Sequence, residues 1–249
     1  MQPRYFEYGE REIAYLKDRD PHLGAAIDAV GHVYRELDDS LFSSVVRSIV
    51  GQQISTAAQR TVYRRLADTL GTVDADTVLD AGVETLQSCG TSFRKASYIY
   101  DFAHRVHTGQ FDPAAVAALP DDQAIAALVE LKGIGVWTAE MILLFCLGRP
   151  DILSFDDVGI LRGMRMVYHH RRITRQLFEK HRRRVSPYGS IASLYFWEIA
   201  SMNVPGYNKD FAPMTDAQKK AARKKRDAAR RAKAQDGKAA QWQQHPRRR

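Results

Sequence analysis

Apolar residues recur at three- and four-residue spacing over most of the first 205 positions, while the strict alternation of a half-buried strand is almost absent. Phe42, Val45, Val46, Ile49 and Val50 trace one helical face. Ala96, Ile99, Ala103 and Val106 trace another, which should end near Gly109, where glycine accepts the left-handed C-terminal position. Asp121, after Pro120, is placed to cap a helix carrying Ile125, Leu128 and Leu131. That helix should stop at Gly133-Ile134-Gly135, with the next running from about Val136 to Leu147. Gly148-Arg149-Pro150 breaks the chain, and Ser154 to Asp157 leads into a further helix. Ile191, Leu194, Tyr195 and Ile199 mark a late apolar helix, closed before Pro205-Gly206. The pattern predicts an all-α fold without internal repeats.

Beyond Pro213 the large aliphatics disappear, and Ala, Lys and Arg dominate. A helix without an apolar face has nothing to pack on, so residues 213–249 are expected to be a disordered or transiently helical tail behind a folded domain of residues 1–212. Charge sharpens this division. The net +8 of the 249-residue chain conceals 13 Lys/Arg and 3 Asp in residues 213–249, against 24 basic and 26 acidic residues before them. A net of +10 on the tail and −2 on the body points to a polyanionic partner, most simply the phosphates of a nucleic acid; a solvated extension is the alternative.

The apolar fraction of 45% and charged fraction of 27% suit an ordinary globular core. No apolar run is long enough to span a bilayer, and the start, Met1-Gln2-Pro3-Arg4-Tyr5, has no signal-peptide core. Cys89 and Cys146 stand far apart with no paired motif, so a reducing cytoplasm is expected, without disulfide, zinc or iron–sulfur cluster. A monomer is expected.

Leu131-Lys132-Gly133-Ile134-Gly135-Val136-Trp137-Thr138-Ala139 reads as helix, tight hairpin, helix. Its two glycines permit backbone angles closed to other residues and leave no side chain to obstruct a phosphate. The first-turn N–H groups after Gly133 and Gly135, at Val136, Trp137 and Thr138, would then point outward with the positive end of the helix dipole. Such a hairpin grips a nucleic-acid backbone without reading its sequence. On its own, GxG is more often a simple turn.

Taken together, LKGIGVWTAEMILLF followed by SFDD resembles the helix-hairpin-helix DNA glycosylase superfamily, in which an essential aspartate follows the hairpin by about twenty residues. Ile49 to Ser55 resembles that family's duplex-inserting loop, Cys89 to Ala96 its CG-x-S-x-x-KA segment, and Ser186 through Trp197 its closing helix. The similarity runs in order over about residues 1–205. It is strongest toward the 3-methyladenine DNA glycosylase II branch, without that branch's additional N-terminal β domain. The resemblance implies a two-lobed helical fold, a base-flipping repair enzyme acting on double-stranded DNA with a damaged base, and Asp157 as the catalytic carboxylate.

It also implies particular roles and exposes departures. Trp137 occupies the position where strand-cleaving members carry a nucleophilic lysine, which implies hydrolysis by water, with no lyase step. Trp137 and Trp197 fall at pocket positions, with Tyr195, Tyr98 and Tyr100 as further aromatic candidates; aromatics at helical spacing are otherwise usually core. Gln52 or Gln53 lies where the family places its wedge, unless the amide serves the protein's own hydrogen bonds. Gly189 stands where relatives often carry arginine. Asp156 is expected to be a cap or a structural hydrogen-bond acceptor. The hairpin carbonyls could hold a monovalent cation; no other cofactor is expected. Alkylated purines are the expected substrates, with a deaminated or mismatched base, or a non-catalytic damage-binding module, as alternatives.

Overall fold

The computed structural model describes residues 3–213, together with 216, 220, 221 and 224. Most of the basic tail expected over 213–249 therefore lies outside the described residues. The described residues divide into two units, with the boundary after Asp210.

Twelve α-helices make up the described fold: α1 (Glu10–Arg19), α2 (Pro21–Val30), α3 (Leu41–Gly51), α4 (Thr56–Leu70), α5 (Ala75–Ser88), α6 (Phe93–His107), α7 (Pro113–Ala118), α8 (Asp121–Val129), α9 (Val136–Phe145), α10 (Val158–Tyr168), α11 (Arg175–Val185) and α12 (Gly189–Ala200). Among the described residues the only β pairing is an isolated bridge between Tyr5 and Glu36, and no β domain precedes the helices. Among the described residues no helix is long and apolar enough to cross a membrane.

Local sequence explains most of the starts. Ser40, Ser55, Ser92 and Thr174 each accept a backbone N–H three residues on, the ordinary N-cap bond. α3 then buries Phe42, Val45, Val46, Ile49 and Val50, the face its periodicity marks. α6 ends at His107 with Thr108 as its C-cap, and Gly109 takes φ +73°. Three boundaries differ from expectation, the first being that α8 ends at Val129 and leaves Leu131 in the turn beyond it. Asp121 is the first residue of α8 rather than its cap, and its carboxylate lies 3.5 Å from Arg149 instead of folding back on the first turn. α9 ends at Phe145, two residues early, because the chain widens there: Cys146 and Leu147 both bond to the Ile142 carbonyl before Gly148 turns at φ +64°.

The helices pack as two groups. In one, α3 touches α4, α6, α7 and α9, α5 lies along α6, and α8 pairs with α9; in the other, α1 and α2 join α10, α11 and α12. The second group is pinned by a buried polar cluster. Asp20, fully buried, caps α2 through the Leu23 N–H (3.1 Å) and accepts the Tyr168 hydroxyl from the end of α10 (3.0 Å). Arg184 and His181 of α11 stand 3.6 and 3.8 Å from the same carboxylate, and the His181 ring stacks on Tyr168. Burial opposes ionisation of Asp20, but the contacts with His181, the Leu23 N–H and Tyr168 outweigh it and hold the carboxyl below its ordinary range. The helix that begins at Asp157 is thus anchored at its far end.

Candidate active site

Asp157 closes the loop Ser154-Phe155-Asp156-Asp157 and caps α10, its Oδ1 accepting the Ile160 N–H at 2.8 Å. The same oxygen accepts the indole Nε1–H of Trp197, from α12, at 2.9 Å. Oδ2 accepts the indole Nε1–H of Trp137, from the first turn of α9, at 3.0 Å. One carboxylate therefore receives three N–H donors, two of them from tryptophans on opposite helix groups. The site lies where the two groups meet. Asp157 is buried, Trp137 remains 44% exposed, and Val158 beside the carboxylate is 77% exposed. Asp156, expected as a cap, is exposed; its neighbour takes that position.

Trp197 is backed by Phe145, with ring centroids 5.3 Å apart, and the Arg35 guanidinium covers Phe145 at 4.1 Å. Arg35 belongs to the segment before α3, which sequence reasoning did not connect with the site. Burial lowers its pKa, against the nearby charges of Asp38 and Glu198. A cleft of about 460 Å³ takes in Glu140, Phe155, Arg175 and Arg182 but does not include Asp157.

The hairpin joins α8 to α9 through a turn closed by Leu131 N–H to Leu128 (3.1 Å) and Ile134 N–H to Leu131 (3.0 Å). Gly133 adopts φ +85°, and a Cβ there would lie 2.7 Å from Tyr98 Cδ2. Both facts demand glycine. Gly135 precedes α9 and supplies no capping side chain, so the first-turn N–H groups at Val136, Trp137 and Thr138 meet no side-chain acceptor from it. Gly133, Gly135, Val136 and Trp137 are exposed and Thr138 is half-buried. The carbonyls of Leu131, Gly133 and Gly135 each already accept one N–H bond, which leaves each a second lone pair for a cation.

The two glutamines separate in role. Gln52 is half-buried and donates from Nε2 to the Gly133 carbonyl at 2.5 Å, tying the α3–α4 loop to the hairpin. Gln53 is exposed and held at φ +57°, an uncommon conformation for a residue other than glycine. Lys95, whose role sequence reasoning missed, organises this loop: Nζ donates to the carbonyls of Val50 (2.9 Å) and Gln52 (2.7 Å) at the end of α3. A cation there answers the negative end of the helix dipole. Its only sequence signal is its place in the Cys89–Ala96 segment.

The tyrosines do not join the tryptophans. Tyr195 is 1% exposed, its hydroxyl 3.4 Å from that of Tyr8, so it offers no face to a flipped base. Tyr98 packs beneath Gly133, and Tyr100 packs against the core. Where arginine was looked for, Gly189 donates its N–H to Asp151, whose Oδ1 a Cβ at 189 would approach to 2.7 Å. Cys89 and Cys146 are free and buried, and burial pushes the Cys146 thiol up to about 11.

Residues 46–187, more than half the chain, match the HhH-GPD superfamily of base excision DNA repair proteins. The chain belongs to that superfamily. A solved structure of DNA-3-methyladenine glycosidase from Bacillus halodurans is 33% identical, covering 79% of this chain and 92% of that one, with a TM-score of 0.71. DNA-3-methyladenine glycosylase 1 of Schizosaccharomyces pombe is 27% identical over 177 residues, 69% of this chain and 77% of that protein. A 3-methyladenine DNA glycosylase of the same yeast, solved with abasic DNA, shares the fold at 23% identity and a TM-score of 0.69, over 80% of this chain and all of that one. As an HhH-GPD protein with these relatives, the chain is a base excision repair glycosylase.

Proposed function

We propose that this enzyme removes alkylated purines from duplex DNA by hydrolysis and leaves the strand uncut. The observation that carries the reading is the pair of tryptophan N–H groups on Asp157, from Trp137 and Trp197. They fix a carboxylate between two aromatic side chains and put an indole where a lyase would need an amine. Among the described residues, the lysines nearest these motifs are engaged elsewhere: Lys132 pairs with Asp101 at 2.7 Å, and Lys95 holds the α3 carbonyls.

Breaking an N-glycosidic bond develops positive charge at C1′ of the sugar. A buried carboxylate with fixed orientation stabilises that charge and can align water for attack. An alkylated purine is often cationic and departs without a strong general acid. A cationic ring against an indole face gains about 0.5 to 2 kcal/mol, which favours such bases over neutral ones. The base must first leave the stack, at a cost of roughly a few kcal/mol. Gln53 is assigned the space it vacates, because Gln52 is committed to Gly133 and Gln53 projects from a constrained, exposed turn. The first turn of α9 would hold a DNA phosphate, and a monovalent cation on the Leu131, Gly133 and Gly135 carbonyls would add positive charge beside it.

The test is a panel of duplexes carrying 3-methyladenine, 7-methylguanine, 1,N6-ethenoadenine, hypoxanthine or uracil, scored for released base. Release concentrated on the alkylated purines is expected; preference for uracil or hypoxanthine would assign a deaminated base instead. On every substrate processed, borohydride should trap no covalent protein–DNA adduct, since Trp137 has no amine to form one. A trapped adduct that accumulates with base release would refute the hydrolytic route.

A further inference from the structure

α10 carries two glycines one turn apart, Gly159 and Gly163, and both face α12. Neither takes a positive φ, so neither is needed for backbone freedom. Glycine weakens a helix relative to alanine, which makes close approach the reason for both. They approach different things. A Cβ on Gly163 would lie 2.1 Å from the Phe196 carbonyl oxygen and 2.7 Å from its Cα, so this glycine sets the distance between two backbones. The atoms nearest a Cβ on Gly159 belong to side chains: it would lie 2.8 Å from Trp197 Cδ1 and 3.1 Å from Trp197 Nε1, the atom whose hydrogen is bonded to Asp157.

We infer that Gly159 is a positioning residue of the active site, its missing side chain being what lets the Trp197 indole reach Asp157 Oδ1. The inference rests on the reading of Asp157 as the catalytic carboxylate. Trp197 cannot retreat freely, because Phe145 stands behind its ring with Arg35 over Phe145. A methyl group at 159 must therefore rotate or slide the indole, and the bond to Asp157 is what a small movement destroys. Asp157 Oδ1 would also stand 3.1 Å from the new Cβ, a tight contact but a looser one than the 2.8 Å to the indole. Gly163 and Gly159 thus divide one helix face: the first sets how close the helices pack, the second how the aromatic wall meets the carboxylate.

The experiment is a double-mutant cycle of Gly159→Ala and Trp197→Phe, read by single-turnover base release, by binding to lesion duplex and by tryptophan emission. Gly159→Ala alone should lower the saturated single-turnover rate by about ten- to a hundredfold, the scale of an ångström-level misplacement, with duplex affinity within about twofold of the parent. In the Trp197→Phe background, where the clashing indole edge is gone, the same change should cost less than about threefold, because two residues acting through one contact are not additive. Emission should shift on Gly159→Ala when Trp197 is present and stay constant when it is Phe. Should Gly159→Ala prove poorly folded, Trp197→Phe should restore its melting temperature, which tests the same contact. Equal rate losses in both backgrounds would mean that the methyl acts through Asp157 or the helix start, and near-parental activity of Gly159→Ala would mean that the approach is dispensable; either overturns the inference. If the parent enzyme releases no base from any duplex, the proposed function fails separately, and the emission cycle still decides whether residue 159 positions Trp197.

Discussion

Asp157→Asn should lower single-turnover base release by on the order of 10²- to 10³-fold or more, while the protein still binds lesion duplex. The amide keeps the shape and loses the charge that opposes the developing cation at C1′. Asparagine is as good an N-cap as aspartate, so its oxygen can keep the bonds to the Ile160 N–H and the Trp197 indole. Its NH₂ must then face the Trp137 N–H, donor against donor, where Oδ2 now accepts at 3.0 Å. A stability cost of about 1 to 3 kcal/mol from that mismatch is expected beside the catalytic loss. Trp137 should swing outward, which a change in its emission would report. Asp156→Asn, at an exposed neighbouring position, should leave both rate and melting temperature close to the parent. If Asp156→Asn were inactive while Asp157→Asn excised normally, the wrong aspartate would have been assigned.

Asp20→Ala should be the most destabilising single change outside the apolar core, at about 3 to 5 kcal/mol. It removes the cap of α2 and strands the Tyr168 hydroxyl, and it leaves His181 and Arg184 facing a site without its counter-charge. A chain of this size loses about 2 to 4 °C per kcal/mol, so the melting temperature should fall by roughly 10 °C. The pH dependence has a definite sign. The folded-state pKa of Asp20 lies below its unfolded value, so its contribution is complete above the ordinary aspartate range, near pH 4, and is lost as pH falls through the lower folded-state value. Parent and variant should therefore differ most at neutral pH and converge in acid. A gap that widened toward acid would contradict the ionised Asp20 cluster. Because Tyr168 closes α10, some loss of activity should accompany the instability even where the variant remains folded.

Those two aspartates differ in how far the sequence reveals them. Asp157 is marked by its distance from the hairpin, and the all-helical pattern, the hairpin and the break at Gly148 are likewise legible, since each depends on residues adjacent in the chain. Asp20 carries no such mark: its partners Tyr168, His181 and Arg184 lie about 150 residues away, and Asp-Pro reads only as a helix start. Tyr195 shows the converse failure. Helical spacing shows that it faces inward, but not whether inward means core or pocket; in the fold it is buried, with Tyr8 edge-on against it. Gln52 and Gln53 are indistinguishable as letters and separate only when Gly133 claims one of them. Net charge misleads in the same way. The body's small negative balance conceals α11, which carries Arg175, Lys180, Arg182, Arg183 and Arg184 against a single glutamate.

The chemistry assigned to Asp157 and its two tryptophans is tested most directly by following both products of one single-turnover reaction on a duplex with one 7-methylguanine. Released base is identified by mass spectrometry, and strand integrity is measured before and after alkali. That chemistry requires free 7-methylguanine in step with alkali-labile sites, on strands that stay whole until alkali is added. Strand breaks keeping pace with base release before alkali, or no release of any alkylated purine by the folded enzyme, would contradict it.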